Sequence, residues 1–244
     1  MVSTIYAPSA LQFSPEYRVP KEMTEKDILR VIGNFRDAAR RAHEAGFDAV
    51  EIHAAHGYLV NEFMTPALNQ RTDVWGEPSY FLSCVIDAVR GVLPAEKPLL
   101  VRISAESPDA YTFDELLPVL EKVKDRIDLV HVSSGGVTPT APHAYPGYQV
   151  PYARRVKAAL NLPVIAVGML DNPELAEYVL HEGDADLVAV GRALLRNPNW
   201  PIEAAMGHQR DVMEALPVYL RRGFRLATSV KETGFVLKEG ETRN

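Results

Sequence analysis

Two histidines and a tyrosine lie within the six-residue segment 53–58. His53 and His56 can each hold a carbonyl oxygen through a ring N–H, and Tyr58 adds a phenol that can donate a proton. The apolar run 47–52 comes directly before them and indicates a buried strand, so the three groups follow its carboxyl end. Parallel β/α proteins keep their chemistry at that end of the strands. The spacing therefore predicts a site that binds and protonates a carbonyl compound.

The same spacing is compatible with two alternatives to a carbonyl site. Alternation along a strand would put His53 and His56 on opposite faces, so the carbonyl hypothesis requires the strand to turn into its loop near Ala54. A histidine that merely caps the strand with a hydrogen bond is one alternative. A metal site is the second, because His-x-x-His can supply two ligands. The sequence offers no obvious third ligand, which favours carbonyl chemistry.

Length and composition indicate one α/β domain. The 244 residues match the roughly 250 of an eight-unit barrel, and 47% apolar residues can form a substantial core. A net charge of −6 without a Lys/Arg block argues against nucleic acid as a partner. The chain shows no signal peptide and no run of 18 apolar residues, so a soluble cytoplasmic protein without membrane contact is expected. Cys84 is the single cysteine, which fits a reducing compartment.

Strand and helix signals alternate along the chain. Helix starts are predicted at Thr24–Asp27, Thr112–Glu115 and Asn172–Pro173, where capping residues precede apolar periodicity. Apolar, β-branched runs predict five strands, and helices between them imply parallel pairing and a sheet buried on both faces. The predicted strands are 47–52, 99–104, 128–133, 162–167 and 185–190.

Glycines follow three of these strands, at Gly135, Gly168 and Gly191. Glycine lets the backbone approach a ligand closely, and N–H groups at a helix start suit a phosphate. The last two strands of such barrels commonly bind phosphate, and Arg192 would add a permanent charge there. Each glycine taken alone fits equally well as a loop residue. Together, Gly168, Gly191 and Arg192 predict a phosphate site.

Arg102 lies in the middle of an apolar strand, where a guanidinium is costly unless it is paired. Two roles are open for it. Arg102 forms a buried salt bridge, for example with Glu51, or it contacts an electron-rich cofactor ring.

Seven segments of the chain resemble the old yellow enzyme family of FMN-dependent ene-reductases, and most closely its thermophilic-like class. The segments occur in the family's order, and the similarity extends from about Ala7 to Phe224, so the resemblance is specific. The segments are Glu51–Leu59, Asn69–Asp73, Val101–Ser104, Ser133–Gly135, Pro146–Gln149, Val167–Met169 and Val190–Leu195.

The resemblance implies a (β/α)8 TIM barrel that binds FMN and is reduced by NADPH or NADH. His53 and His56 are implied to hold the carbonyl oxygen of an α,β-unsaturated substrate, and Tyr58 to protonate its α-carbon after hydride reaches the β-carbon. Arg222 is implied to reach the active site of a neighbouring subunit, which predicts a homo-oligomer. The residues implied to contact FMN are Arg102, Ser134, Gly135, Val167, Gly168, Met169, Gly191 and Arg192.

The chain also departs from the family. The family's His-x-x-His motif follows the fourth strand, whereas only residues 1–46 precede the strand 47–52 here. The resemblance thus implies an incomplete barrel of strands four to eight, without the first three units and their flavin contacts. We expect 1–224 to form this partial barrel and 225–244 to be a partly disordered tail. A shortened chain, completion by a partner or second copy, and a changed role all fit this pattern.

Three functions are therefore compared. The leading hypothesis is an FMN-dependent NAD(P)H oxidoreductase that reduces activated C=C bonds of α,β-unsaturated carbonyl compounds. The alternative is a catalytically silent β/α binding or assembly subunit derived from an ene-reductase. A flavin enzyme acting on dienoyl thioesters or amines is the third, and it would ordinarily need an iron–sulfur cysteine cluster that one cysteine cannot supply.

Overall fold

The computed structural model describes residues 4–208 together with residues 212, 213, 216 and 221. The chain divides into two compact units, Met1–Val190 and Gly191–Asn244. The predicted boundary at residue 224 lies outside the described residues.

Helices and strands alternate through the first unit, after a short parallel pair formed by β1 (Tyr6–Ala7) and β2 (Lys21–Glu22). Single 3-10 turns lie at Val74–Gly76 and Lys124–Arg126. The further strands are β3 (Val50–Ala54), β4 (Leu99–Ser104), β5 (Leu129–Ser133), β6 (Val164–Ala166) and β7 (Leu187–Val188). The helices are α1 (Glu25–Glu44), α2 (Leu59–Met64), α3 (Tyr80–Arg90), α4 (Phe113–Glu121), α5 (Val150–Leu160) and α6 (Pro173–His181).

The second unit contributes two short helices to the described part of the chain, α7 (Arg192–Arg196) and α8 (Trp200–Gly207). Across both units, no described helix has the length and apolar character needed to cross a membrane.

The predicted helix starts are confirmed. In the first capping box, the Asp27 N–H donates to the Thr24 hydroxyl and the Thr24 N–H donates to the Asp27 carboxylate, both at 3.2 Å. Thr112 and Glu115 form the second box at the start of α4. Asn172 caps α6 with its side-chain oxygen. Such caps satisfy N–H groups that lack a partner inside the helix, and each contributes about 1 kcal/mol.

Strands β3 to β7 form one parallel sheet in chain order. The register pairs His53 with Arg102 and Arg102 with His131. Because residues in register across a sheet point to the same face, these three side chains lie in one row. Within the described residues, the outer edges of β3 and β7 pair with no further strand and the sheet does not close. This open five-stranded sheet agrees with the predicted incomplete barrel.

The two faces of the sheet differ in burial. One face packs against the helices, and Ile52, Val101 and Val130 on it are at most 3% exposed. The opposite face carries the row that contains Arg102. The Arg102 side chain is half-buried, and Leu187 at the end of this row is 51% exposed. On this second face His131, Ser104 and Ser133 are buried, so the prediction of a sheet buried on both faces is wrong only for its remaining part, at Arg102 and Leu187.

The strand before the histidines is shifted relative to its prediction. The sequence pattern places it at 47–52, whereas it lies at Val50–Ala54. The chain leaves α1 through Gly46, whose φ is +85°, and Phe47 still donates its N–H to the last turn of that helix. The strand can therefore begin only after this helix-terminating turn, and His53 lies inside the strand.

Candidate active site

His53, His56 and Tyr58 come together at the carboxyl end of β3. The ring centroid of His53 lies 5.3 Å from the centroids of both His56 and Tyr58. The strand ends at Ala54, and His56 and Gly57 then adopt left-handed φ angles of 60° and 71°. This reversal returns the second imidazole to the side of the first, as the carbonyl hypothesis required. The structure thus groups the three residues that the sequence singled out.

Buried hydrogen bonds hold this turn in place. The His56 N–H donates to the Ser104 hydroxyl and the Gly57 N–H to the Asn61 side-chain oxygen, both at 3.0 Å. The Asn61 amide donates to the Tyr111 hydroxyl at 3.0 Å, and Tyr111 donates to the main-chain oxygen of Ser104 at 2.8 Å. Asn61 is fully buried and Ser104 nearly so. Sequence reasoning missed this support, although a polar Asn61 among the apolar residues of a short helix was a usable signal.

Two glycines allow the loop after β5 to lie against the turn. A Cβ atom on Gly57 would come within 2.3 Å of the main-chain oxygen of Gly136. A Cβ atom on Gly136 would come within 2.7 Å of the His56 Cα atom. Both glycines also have left-handed φ angles. The turn that positions the histidines therefore depends on bare backbone on both sides of the contact.

Arg102 forms no ion pair with Glu51. The Glu51 carboxylate instead accepts from Nδ1 of the buried His131 at 2.9 Å. Within the described residues, the buried Nε of Arg102 and Nε2 of His131 have no hydrogen-bond partner. Buried polar groups in native proteins are normally satisfied, so unpaired atoms on the face that carries His53 fit a ligand with hydrogen-bonding atoms of its own. Of the two roles considered for Arg102, the salt bridge to Glu51 is wrong.

Electrostatics keep both imidazoles of the motif neutral. Burial lowers the pKa of His56 to about 4, with the positive charge of Arg102 as the next cause. Burial and Arg102 also lower the pKa of His53. For Glu51, burial raises the pKa, but the hydrogen bond from His131 and nearby positive charge outweigh it, so the pKa is lowered. At neutral pH each imidazole of the motif therefore has one N–H donor and one acceptor nitrogen.

The predicted cofactor residues after β5 are buried and engaged within the protein. Ser134 is 7% exposed and its hydroxyl lies 2.9 Å from the amide nitrogen of Gln149. The Gly135 N–H donates to the main-chain oxygen of Glu106 at 2.7 Å. Gly135 therefore offers close approach of the backbone rather than a free N–H group.

The predicted cofactor residues after β6 have an unusual backbone. Val167 is half-buried, Gly168 has a φ of 114°, and Met169 has a left-handed φ of 54°. A Cβ atom on Gly168 would approach the Gln149 side-chain oxygen to 3.0 Å. A non-glycine residue with positive φ costs about 1 kcal/mol or more, which is typical of functional loops. This loop therefore stays a candidate phosphate-binding segment.

The remaining predicted residues belong to the second unit. Gly191 precedes α7. Arg192 is the first residue of that helix, and its side chain is exposed. Arg222 lies outside the described residues. No group of three or more His, Cys, Asp or Glu side chains that could hold a metal ion occurs in the part of the chain that the structure describes.

A parallel β/α sheet with two histidines and a tyrosine grouped at its carboxyl edge is the arrangement expected for part of a TIM-barrel enzyme. The chain belongs to the NADH:flavin oxidoreductase / NADH oxidase family, whose model matches residues 2–211. This membership confirms the resemblance drawn from the sequence motifs. FMN as cofactor and NADPH or NADH as reductant are confirmed at the level of the family.

Curated relatives are NADPH dehydrogenases. The chain is 49% identical over 228 residues to that of Geobacillus thermodenitrificans, covering 91% of this chain and 66% of the relative. It is 47% identical over 206 residues to that of Clostridium acetobutylicum, covering 82% and 61%. The names confirm the oxidoreductase class. The chain spans less than two thirds of the length of these relatives, as the motif order predicted.

Solved structures confirm the predicted fold class. A 2-naphthoyl-CoA reductase in complex with 2-naphthoyl-CoA matches with a TM-score of 0.77 and 26% identity, covering 83% of this chain and 33% of that chain. Histamine dehydrogenase from Rhizobium sp. 4-9 matches with a TM-score of 0.73 and 23% identity, covering 84% and 32%. The second likeness concerns the fold alone.

Proposed function

We propose that this chain carries the substrate-binding part of an FMN-dependent ene-reductase, which uses NADPH or NADH to reduce activated C=C bonds of α,β-unsaturated carbonyl compounds. One observation carries the proposal. His53, His56 and Tyr58 converge at the end of β3, beside an Arg102 side chain whose buried Nε has no partner among the described residues.

The residues present fit FMN. Arg102 offers a cation with an unsatisfied donor on the sheet face that carries His53, which suits the acceptor atoms of a flavin pyrimidine ring. When bound, reduced FMN supplies the hydride. From the resemblance alone, the other residues proposed to contact the cofactor are Ser134, Gly135, Val167, Gly168, Met169, Gly191 and Arg192.

His53 and His56 hold the substrate carbonyl in this proposal. Both are neutral at pH 7, so each can donate one hydrogen bond to the carbonyl oxygen. Negative charge develops on that oxygen when hydride reaches the β-carbon, and preoriented donors stabilise it. The cationic Arg102, in register with His53, adds favourable charge to the same region.

Tyr58 is the proton donor of the proposal. It precedes α2 at the N-cap position, its ring packs beside His53, and its side chain is 63% exposed. A phenol at this position can therefore reach a substrate from the solvent side and protonate the α-carbon.

The proposal has three further parts, of which the first two derive from the resemblance and the third from the composition and charge of the sequence. The protein is a homo-oligomer in which Arg222 of one copy reaches the active site of another. A second polypeptide or a second copy of the chain completes the barrel beside the edge of β3. The enzyme acts in the cytoplasm and needs neither nucleic acid nor a membrane as partner.

The test uses the purified chain loaded with FMN under anaerobic conditions. We expect the absorbance of oxidised flavin, bleaching by NADPH or NADH, and recovery of the absorbance when an enone is added. Tyr58→Phe should slow the recovery and leave the bleaching rate unchanged. Tyr17→Phe is the matched control, because Tyr17 is 61% exposed and its ring pairs with Phe13 instead.

Two results would contradict the proposal. A folded chain that binds no flavin would support the silent binding subunit instead. A flavin that is bleached but never reoxidised by any enone would refute the assigned substrate class.

A further inference from the structure

A buried hydrogen-bond network contacts the His56 ring from the side of β5. Nε2 of His56 lies 2.7 Å from the Ser133 hydroxyl oxygen. The amide nitrogen of Gln149 lies 3.2 Å from the same hydroxyl and 2.9 Å from that of Ser134. Ser133 and Gln149 are 3% exposed and Ser134 is 7% exposed. The network is therefore shielded from water, and each hydrogen in it needs a partner inside the protein.

The orientation of the Gln149 amide follows from its neighbours. Its nitrogen also lies 3.5 Å from the main-chain oxygen of Ser134, a group that can only accept hydrogen bonds. Placing the amide oxygen there would put two acceptors side by side. The Gln149 NH2 group therefore faces the two serines and donates to the Ser133 hydroxyl.

The direction of the remaining bond follows by counting hydrogens. The Ser133 hydroxyl has one hydrogen, and its oxygen already accepts from Gln149. Within the described residues, Nε2 of His56 is the only further group in hydrogen-bond contact with that hydroxyl. Ser133 therefore donates to Nε2, which must be an unprotonated acceptor. Since the imidazole is neutral, its proton lies on Nδ1.

We propose that Ser133 and Gln149 are positioning residues that fix His56 as the Nδ1–H tautomer, so that Nδ1 is the donor left for a ligand. The inference deepens the proposed function, because the donor that meets the substrate carbonyl is then a defined atom. A histidine of the wrong tautomer would present a lone pair to the carbonyl oxygen and repel it.

His53 differs from His56 in this respect. Within the described residues, no protein group makes a hydrogen bond to the His53 ring, which packs beside the rings of His56 and Tyr58. The protein therefore sets the tautomer of one histidine of the pair and leaves the other to its ligand. The two donors of the motif are not equivalent.

The experiment is a two-bond 1H–15N NMR spectrum of the folded chain at pH 7, without flavin. Such spectra separate ring nitrogens that carry a proton from those that do not. His56 is assigned by the loss of its signals in His56→Asn. We expect a single Nδ1–H pattern for His56. An Nε2–H pattern or a charged ring would overturn the inference.

Variants test the role of the network itself. Ser133→Ala should replace the single pattern by the averaged shifts of two exchanging tautomers, and Ser133→Thr should restore it by keeping the hydroxyl. Ser83→Ala is the control and should leave the pattern unchanged, because the Ser83 hydroxyl accepts from Arg126 and takes no part in this network. An unchanged tautomer in Ser133→Ala would show that the network does not set it. None of these spectra depends on flavin binding, so they can fail or succeed independently of the proposed function.

Discussion

Glu62 is expected to destabilise the folded chain at neutral and alkaline pH. It lies on the helix that begins after Tyr58, and burial raises its pKa from 4.5 to about 7. The folded state therefore prefers the protonated carboxyl, and this favourable term is present at pH 4 and is lost as the pH rises through 7. At about 1.4 kcal/mol for each pKa unit, the rise from 4.5 to about 7 corresponds to about 3.5 kcal/mol above pH 8.

Replacing Glu62 by Gln tests this reasoning, because the amide has nearly the same shape and never ionises. We expect Glu62→Gln and the unchanged chain to show the same pH dependence below pH 4.5, with the variant gaining about 3.5 kcal/mol relative to the unchanged chain by pH 8. Urea unfolding followed by circular dichroism from pH 4 to pH 8 measures the difference. A pH-independent difference in stability between Glu62→Gln and the unchanged chain does not affect the test, since only the change of stability with pH is predicted.

Glu115→Gln is a control of opposite sign. Its carboxylate accepts from the Thr112 N–H in the capping box, and that bond lowers its pKa. A lowered pKa contributes stability that is present above the ordinary pKa of a glutamate and is lost in acid. This variant should therefore lose stability relative to the unchanged chain as the pH rises from about 3 to 5. Parallel pH profiles for Glu62→Gln and the unchanged chain would refute the raised pKa of Glu62. In that case a 13C NMR titration of the Glu62 carboxyl would also show no raised pKa.

Two further predictions concern the turn that carries the histidines. Tyr111→Phe leaves the Ser104 carbonyl without its donor and should cost about 2 kcal/mol in urea unfolding. Because burial raises the Tyr111 pKa to about 12, the unchanged chain should also lose stability faster between pH 10 and 12 than the variant, and equal slopes would contradict this. Gly57→Ala should cost at least about 2 kcal/mol, since its Cβ meets the Gly136 oxygen at a left-handed φ. Gly33 lies in the middle of α1 with open space around it, so Gly33→Ala should instead stabilise the fold by up to about 1 kcal/mol. A loss of stability in this variant would contradict the explanation that free space and helical conformation decide the effect of a Gly→Ala change.

Local sequence signals predicted much of the fold. Capping residues such as Thr24 and Thr112 mark helix starts because they satisfy N–H groups within four residues of themselves. Strand β4 was predicted at its observed bounds, since its apolar run is flanked by Pro98 and a polar loop. The strand before His53 was placed too early, because the turn that ends the preceding helix still includes Phe47, an aromatic residue that favours a strand.

The candidate site was predictable only where its residues adjoin in sequence. His53, His56 and Tyr58 form one short motif, and a single turn groups them. Glu51 and His131 lie on β3 and β5, which are separated by β4 in the sheet. Their contact depends on how these strands align with one another, and the local sequence pattern does not predict that alignment. The support from Gln149 and Ser133 was missed for the same reason, although both residues lie in segments that resemble the family.

The contact between Gly57 and Gly136 packs the loop after β3 closely against the loop after β5, although the two loops are far apart in sequence. The loop after β5 reaches across β4 to lie on the histidine turn, and neither loop has room for even a methyl group there. A designer who transplants the histidine motif to another β/α scaffold must therefore carry over both segments as a unit. In natural evolution, the same constraint means that a side chain gained at one of these positions is tolerated only after the opposite loop has shortened or moved away.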